Sequence, residues 1–165
     1  MKLRALCSAT TLAALLAGCA STGNQPPIQQ APVAPPPQAT TPTISLASEQ
    51  RRLADLFRDT PVVIAMTPEG HMRVEVPLKF SFKKGQSVVE PPLAKVLDYV
   101  VPSAKAPGMK ARVSAPSDNG KAGLIAQDRA ASARDYLIAK GVPVTHFAGV
   151  GPAHSDSVEI LIGKL

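Results

Sequence analysis

The chain has 165 residues, 45% of them hydrophobic but only 4% aromatic and none tryptophan, so it holds one aliphatic-cored domain plus extensions rather than two domains. Its formal charge of +6 is carried by scattered lysines and arginines without a basic block, which argues against nucleic acid as a partner. Both cysteines fall in the first twenty residues, so no disulfide framework staples the remainder.

Lys2 and Arg4 precede an apolar run from Ala5 to Ala17. That run is too short to cross a bilayer as a helix but suits the hydrophobic region of a secretory signal. It ends in Leu16-Ala17-Gly18-Cys19, which resembles the bacterial lipoprotein box. The resemblance implies removal of residues 1–18 and acylation of Cys19, with palmitate among the acyl chains. Ala20, standing where an Asp would retain such a protein at the inner membrane, implies sorting to the outer membrane, facing the periplasm. Several acyl chains anchor stably where one would not. Cys7 would leave with the signal, and the formal charge would fall from +6 to about +4 with the loss of two cations.

Residues 19–44 hold no charge and are rich in Pro, Gln, Thr and Ala, with Pro26-Pro27 and Pro35-Pro36-Pro37. Too little apolar surface is present to offset the entropy of ordering, so a polyproline-biased tether is expected. At about 3.1 Å per residue, the stretch from Ser21 to Pro42 would reach on the order of 60–70 Å.

Residues 45–61 are expected to form a short helix, with Ser48 as N-cap, Leu53, Leu56 and Phe57 on one face, and Thr60-Pro61 as the stop. Val62 to Met66 is a strand. Thr67-Pro68-Glu69-Gly70 is a turn, and Met72, Val74 and Val76 then alternate with His71, Arg73 and Glu75, completing a hairpin. Phe80-Ser81-Phe82, leaving at Gly85, is expected to be another short strand. Pro91-Pro92 opens a helix with Leu93, Val96, Leu97 and Val100 on its apolar face, closed by Pro102 and Pro107-Gly108. Ala111, Val113 and Ala115 line one face of the next strand. The last two strands are His146 to Val150 and Val158 to Ile162.

Between them lies the stretch that organises the rest. Ala126, Ala130, Ala133 and Leu137 make one apolar stripe on a helix whose small residues allow close approach to a sheet. Ser117-Asp118-Asn119-Gly120 can cap its start, and Gly141 supplies its stop. An acid, Asp118, and a base, Arg129, set apart around the helix entrance suit a zwitterionic ligand. The plainer alternative makes Asp118 a helix cap and Arg129 a solvated residue beside Asp128. Strands and helices in this order imply a mixed sheet covered on one face, an α/β (α+β) two-layer sandwich over residues 62–165.

Phe80-Ser81-Phe82-x-x-Gly85, Val113-x-x-x-Ser117-Asp118, Arg129-Ala130-x-x-Ala133-x-x-Tyr136-Leu137-x-x-x-Gly141-Val142, Gly149-x-Gly151 and Val158-Glu159-Ile160 together resemble the OmpA-like peptidoglycan-binding domain. The resemblance runs from about Val76 to Gly163. It implies the β-α-β-α-β-β fold and a periplasmic module that grips the diaminopimelate of peptide stems without covalent bonds. On that resemblance Asp118 and Ser117 would hold the ligand ammonium and Arg129 its carboxylate. The chain departs from the pattern in a shorter loop between Asp118 and Arg129. It departs again at Asp156-Ser157, which stand where a pair of arginines is usual, so a ligand carboxylate would meet less positive potential there.

Two functions follow as expectations: a lipoprotein tethering the outer membrane to peptidoglycan, or an assembly protein of an envelope complex that has lost the ligand and contacts other envelope proteins. Catalysis is not expected. His154-Ser155-Asp156 are adjacent and cannot converge as a triad, and no Gly-x-Ser-x-Gly elbow occurs. His71, His146 and His154 lack metal-ligand spacing, and Gly149-Val150-Gly151 lacks the remainder of a phosphate loop, so neither metal nor cofactor is expected.

Overall fold

A computed structural model describes residues 45–119, 123–153 and 155–165. The signal segment, Cys19, the Pro-rich tether, Gly120 and His154 lie outside the described residues. Among the described residues, no helix is long and apolar enough to cross a membrane.

The first helix, α1 (Leu46–Leu56), buries Leu53 and is followed by buried Phe57. Its N-cap is Ser45 rather than Ser48, and no side chain caps it, so local cap chemistry is not what places its start. Gln50 ties it to the sheet, its Nε2 donating to the Ile64 carbonyl at 2.8 Å. Strands β1 (Val63–Met66) and β2 (Met72–Pro77) form the expected antiparallel hairpin. Its turn closes where the Gly70 N–H donates to the Thr67 carbonyl, and Gly70 holds a φ of +80° that other residues resist.

Phe80-Ser81-Phe82 is not a strand. Leu78–Phe80 is a 3-10 turn, because the chain leaves the sheet at Pro77 and folds back on itself. The Ser81 hydroxyl donates to the carbonyls of Val76 and Pro77, the Leu78 N–H donates to the Asp156 carbonyl, and Phe82 is buried. The phenylalanine alternation thus marks a tight turn over the end of the core.

Helix α2 (Pro91–Lys105) starts at its proline and buries Leu93, Val96, Leu97 and Val100 as expected, but it continues through Pro102. A proline there forgoes one helical hydrogen bond, and burial of Ser103 and Ala104 beyond it holds the last turn in place. Strand β3 (Lys110–Ala115), helix α3 (Leu124–Ala139), and strands β4 (Phe147–Pro152) and β5 (Ser157–Gly163) complete the domain.

The sheet order is β1-β2-β5-β3-β4, antiparallel throughout except for β3 beside β4. One face is covered and the other open, giving the two-layer α/β sandwich. Met72, Val74 and Val76, Ala111, Val113 and Ala115, and Val158, Ile160 and Ile162 all point to the covered side. Val74 and Val113 flank Ile160 from opposite neighbours, so β5 is the centre of the core. Fully burying an aliphatic side chain of this size contributes about 1.5–3 kcal/mol, so this patch and Leu53, Leu93, Leu97 and Leu137 carry most of the stability. The alanine stripe of α3 packs on the alanines of β3, small against small. The resulting close approach brings the N-terminal turns of α3 over the loop that follows Phe82.

Candidate functional site

Arg129 stands three residues after Ala126 and four before Ala133, so it belongs to the stripe that faces the sheet. Its side chain is completely buried, the largest such group among the described residues. It is not solvated, and burial of a guanidinium is tolerated only when its donors are matched. They are: Nε donates to the Gln86 carbonyl at 2.8 Å, Nη1 to the Pro116 carbonyl at 3.0 Å, and Nη2 to the Lys83 carbonyl at 3.1 Å. Nη2 also donates to Asp118 Oδ1 at 2.6 Å. The Phe82 ring lies under the guanidinium, 5.5 Å from Cζ.

Asp118 is therefore neither a helix cap nor set apart from Arg129. The N-cap of α3 is Gly123, without a side-chain cap, and Asp118 is drawn instead to partners distant in sequence. Its Oδ1 takes the arginine and its Oδ2 accepts the Gly85 N–H at 2.8 Å. The hydrogen bond from Arg129, followed by that from Gly85, holds the carboxyl below the usual carboxylate range. It is thus ionised at neutral pH. Each carboxylate oxygen has room for a second bond, and 28% of the Asp118 side chain remains exposed, so the group can still take a donor from solution. Ser117, the third expected residue, is buried, with its hydroxyl donating to Asn119 Oδ1 at 2.6 Å. It shapes the loop rather than projecting into the opening.

Between Phe82 and α2 the chain makes a turn in which the Gln86 N–H donates to the Lys83 carbonyl, with Gly85 at a φ of +71°. Arg129 grips two carbonyls of this turn and Asp118 its one inward N–H. A buried cation and its acid thus fasten the Lys83–Gln86 turn to the start of α3. This role is the one the sequence reading missed.

The exposed edge of Asp118 opens on a cleft of about 700 Å³, whose other charged walls are Lys79, Lys83, Lys84 and Asp156. Pro77, Leu78 and Phe82 form its apolar floor. Such a cleft sets carboxylates and ammonium groups around an apolar floor, so it offers partners to a ligand that carries both charges. A smaller pocket of about 260 Å³ between α1 and the start of α2 is lined by Phe57, Val76, Phe80 and Val96, and Lys95 is its one charged wall. No group of three or more His, Cys, Asp or Glu residues able to hold a metal occurs among the described residues. His71 packs over Gly163, where a Cβ would lie 2.3 Å from its ring.

Neither a protein-family model nor a curated protein sequence matches the chain. Solved structures do match in fold. The cell wall anchor of the type VI secretion system (T6SS) from Pseudomonas aeruginosa is 19% identical, with a TM-score of 0.55 over 68% of this chain and 94% of that one. A MotB-like protein from Desulfovibrio vulgaris is 14% identical, with a TM-score of 0.54 over 73% of this chain and 91% of that one. The periplasmic domain of Helicobacter pylori MotB is 15% identical, with a TM-score of 0.50 over 61% and 83%. The chain has the α/β sandwich fold of the OmpA-like domains.

Proposed function

We propose that this chain is an outer-membrane lipoprotein, anchored through Cys19, whose periplasmic domain binds peptidoglycan non-covalently through the diaminopimelate of its peptide stems. The observation that carries this reading is Asp118: a carboxylate kept ionised by Arg129 and Gly85, its free edge turned to an open cleft walled by ammonium groups. Diaminopimelate offers the complementary pair, an ammonium for Asp118 and a carboxylate for the cationic wall. Support also comes from the fold shared with a cell wall anchor and with periplasmic domains of MotB.

In this mechanism Arg129 positions rather than touches. It neutralises the Asp118 charge in part, holds the acid at the cleft edge and fastens the Lys83–Gln86 turn opposite. An ammonium–carboxylate contact in an open cleft contributes about 1–3 kcal/mol, so one stem would bind weakly. Tethering to the membrane beside a wall of repeated stems supplies effective concentration, and many weak contacts then hold firmly. No bond is made or broken, and no cofactor takes part.

Enclosure of Arg129 favours one competing function, an assembly protein of an envelope complex that no longer takes the ligand. Sedimentation with purified peptidoglycan separates the two. The wild type is expected in the pellet, Asp118→Ala in the supernatant, and both folded by circular dichroism. A wild type that stays in the supernatant supports the assembly function instead. Acyl labelling of wild type but not Cys19→Ala would test the anchor.

A further inference from the structure

Binding of a zwitterion leaves one question that the burial of Arg129 makes acute: which cation meets the ligand carboxylate. Arg129 is completely buried, and its Nε and both Nη nitrogens are engaged by three carbonyls and Asp118. To reach a ligand it would have to leave the buried Pro116 carbonyl and its bonds to the Lys83–Gln86 turn, at a cost comparable to the bond gained. The candidates that remain are the lysines of the cleft.

Lys79 has its ammonium 4.8 Å from the centre of the Phe80 ring, and Lys83 has its own 3.7 Å from Glu90. Lys84 is engaged by neither an ion pair nor a ring among the described residues, and its positive field reaches Asp118. It also stands on a firmly tied piece of backbone. The turn that carries it is closed by the Gln86 N–H, gripped at both Lys83 and Gln86 by Arg129, and held at Gly85 by Asp118. The same acid that faces the opening therefore sets the position of the residue beside Lys84. An acceptor for an ammonium and a donor for a carboxylate are coupled through one N–H.

We propose that Lys84 receives the ligand carboxylate and that the protein discriminates a free carboxylate from its amide at this residue. The inference rests on the peptidoglycan-binding reading and deepens it, because it assigns a specificity-determining contact to a residue outside the acid–arginine pair. An amide in place of the carboxylate keeps the shape of the ligand but removes the charge that an ammonium group rewards.

The experiment uses the full-length chain and two muropeptides with diaminopimelate in the stem, one with a free and one with an amidated side-chain carboxyl. Affinities are measured by calorimetry for wild type and Lys84→Gln, with Lys79→Gln as a charge control on the same cleft. Wild type should prefer the free acid. Lys84→Gln should weaken free-acid binding about threefold to fivefold, leave amide binding unchanged and bring the two affinities together. Lys79→Gln should keep most of the preference. Equal weakening of both ligands by Lys84→Gln, or an undiminished preference, would overturn the assignment while leaving peptidoglycan binding intact. A wild type that binds neither muropeptide would overturn both.

Discussion

Two ion pairs in this domain close to the same distance and do different things. Arg52 and Glu49 meet at 2.6 Å on the surface of α1, and Arg129 and Asp118 meet at 2.6 Å at the start of α3. In both, a hydrogen bond from the arginine holds the acid below its usual range. The difference lies in what else would be left unmatched. Arg52 is half exposed and its partner is three residues away on the same helix, so water replaces the guanidinium cheaply. Arg129 is sealed, and removing it takes the donor from the Gln86 and Pro116 carbonyls and leaves a partly covered carboxylate without its counter-charge. Distance does not rank ion pairs; the groups orphaned by breaking them do.

The comparison is sharpest at Arg129. Replacing it with methionine, which keeps much of the packing, should lower the unfolding free energy by about 3–5 kcal/mol in urea denaturation. A loss below about 1 kcal/mol would place the buried pair on the same footing as the surface one. Asp118→Asn should cost less, about 1–3 kcal/mol, because the arginine keeps its three carbonyls but loses its counter-charge.

The acid also gives this pair a pH signature. The Asp118 pKa is lowered by folding, so its contribution is present in full above its unfolded value of about 3.9 and is lost as the pH falls through the lower folded value. The gap in stability between wild type and Asp118→Asn should therefore close as pH falls below about 4. A gap independent of pH would mean that charge is not its source. At the bottom of the scale, Arg52→Gln should change stability by less than about 1 kcal/mol, and added salt should shrink even that.

Much of the scaffold could be read from the chain because its signals are local. The hairpin follows from alternation around Thr67–Gly70, and the buried stripes of α2 and α3 follow from helical spacing. The misreadings share a cause, which is contact that the local pattern does not show. Phe80-Ser81-Phe82 alternates like a strand, but the Ser81 and Phe82 N–H groups turn back to the Leu78 carbonyl and the Ser81 hydroxyl to the end of β2. Pro102 looks like a stop, yet the burial beyond it outweighs one missing hydrogen bond. Asp118 looks like a cap, and it is recruited by Gly85 and Arg129 instead. For Arg129 a signal was present: its position between Ala126 and Ala133 puts it on the buried face. What the chain alone could not supply was the set of carbonyls, from Lys83, Gln86 and Pro116, that makes such a burial tolerable.

Asp156 marks the other side of the same lesson. Read against the resemblance, it is a cation lost; in the fold it lines the cleft that Asp118 and three lysines share. Acids and lysines share the walls of this opening, and a residue-by-residue match along the sequence does not register that.

The most direct test of the cleft is a two-dimensional NMR titration of the protein with a diaminopimelate-containing muropeptide. The amide signals of Gly85, Lys84 and Asp118 should move with ligand concentration, and Asp118→Asn should abolish their movement while leaving the remaining spectrum folded. Shifts confined to the apolar pocket around Phe57 and Val96, or none anywhere, would contradict the assignment of this cleft as the place where the wall is held.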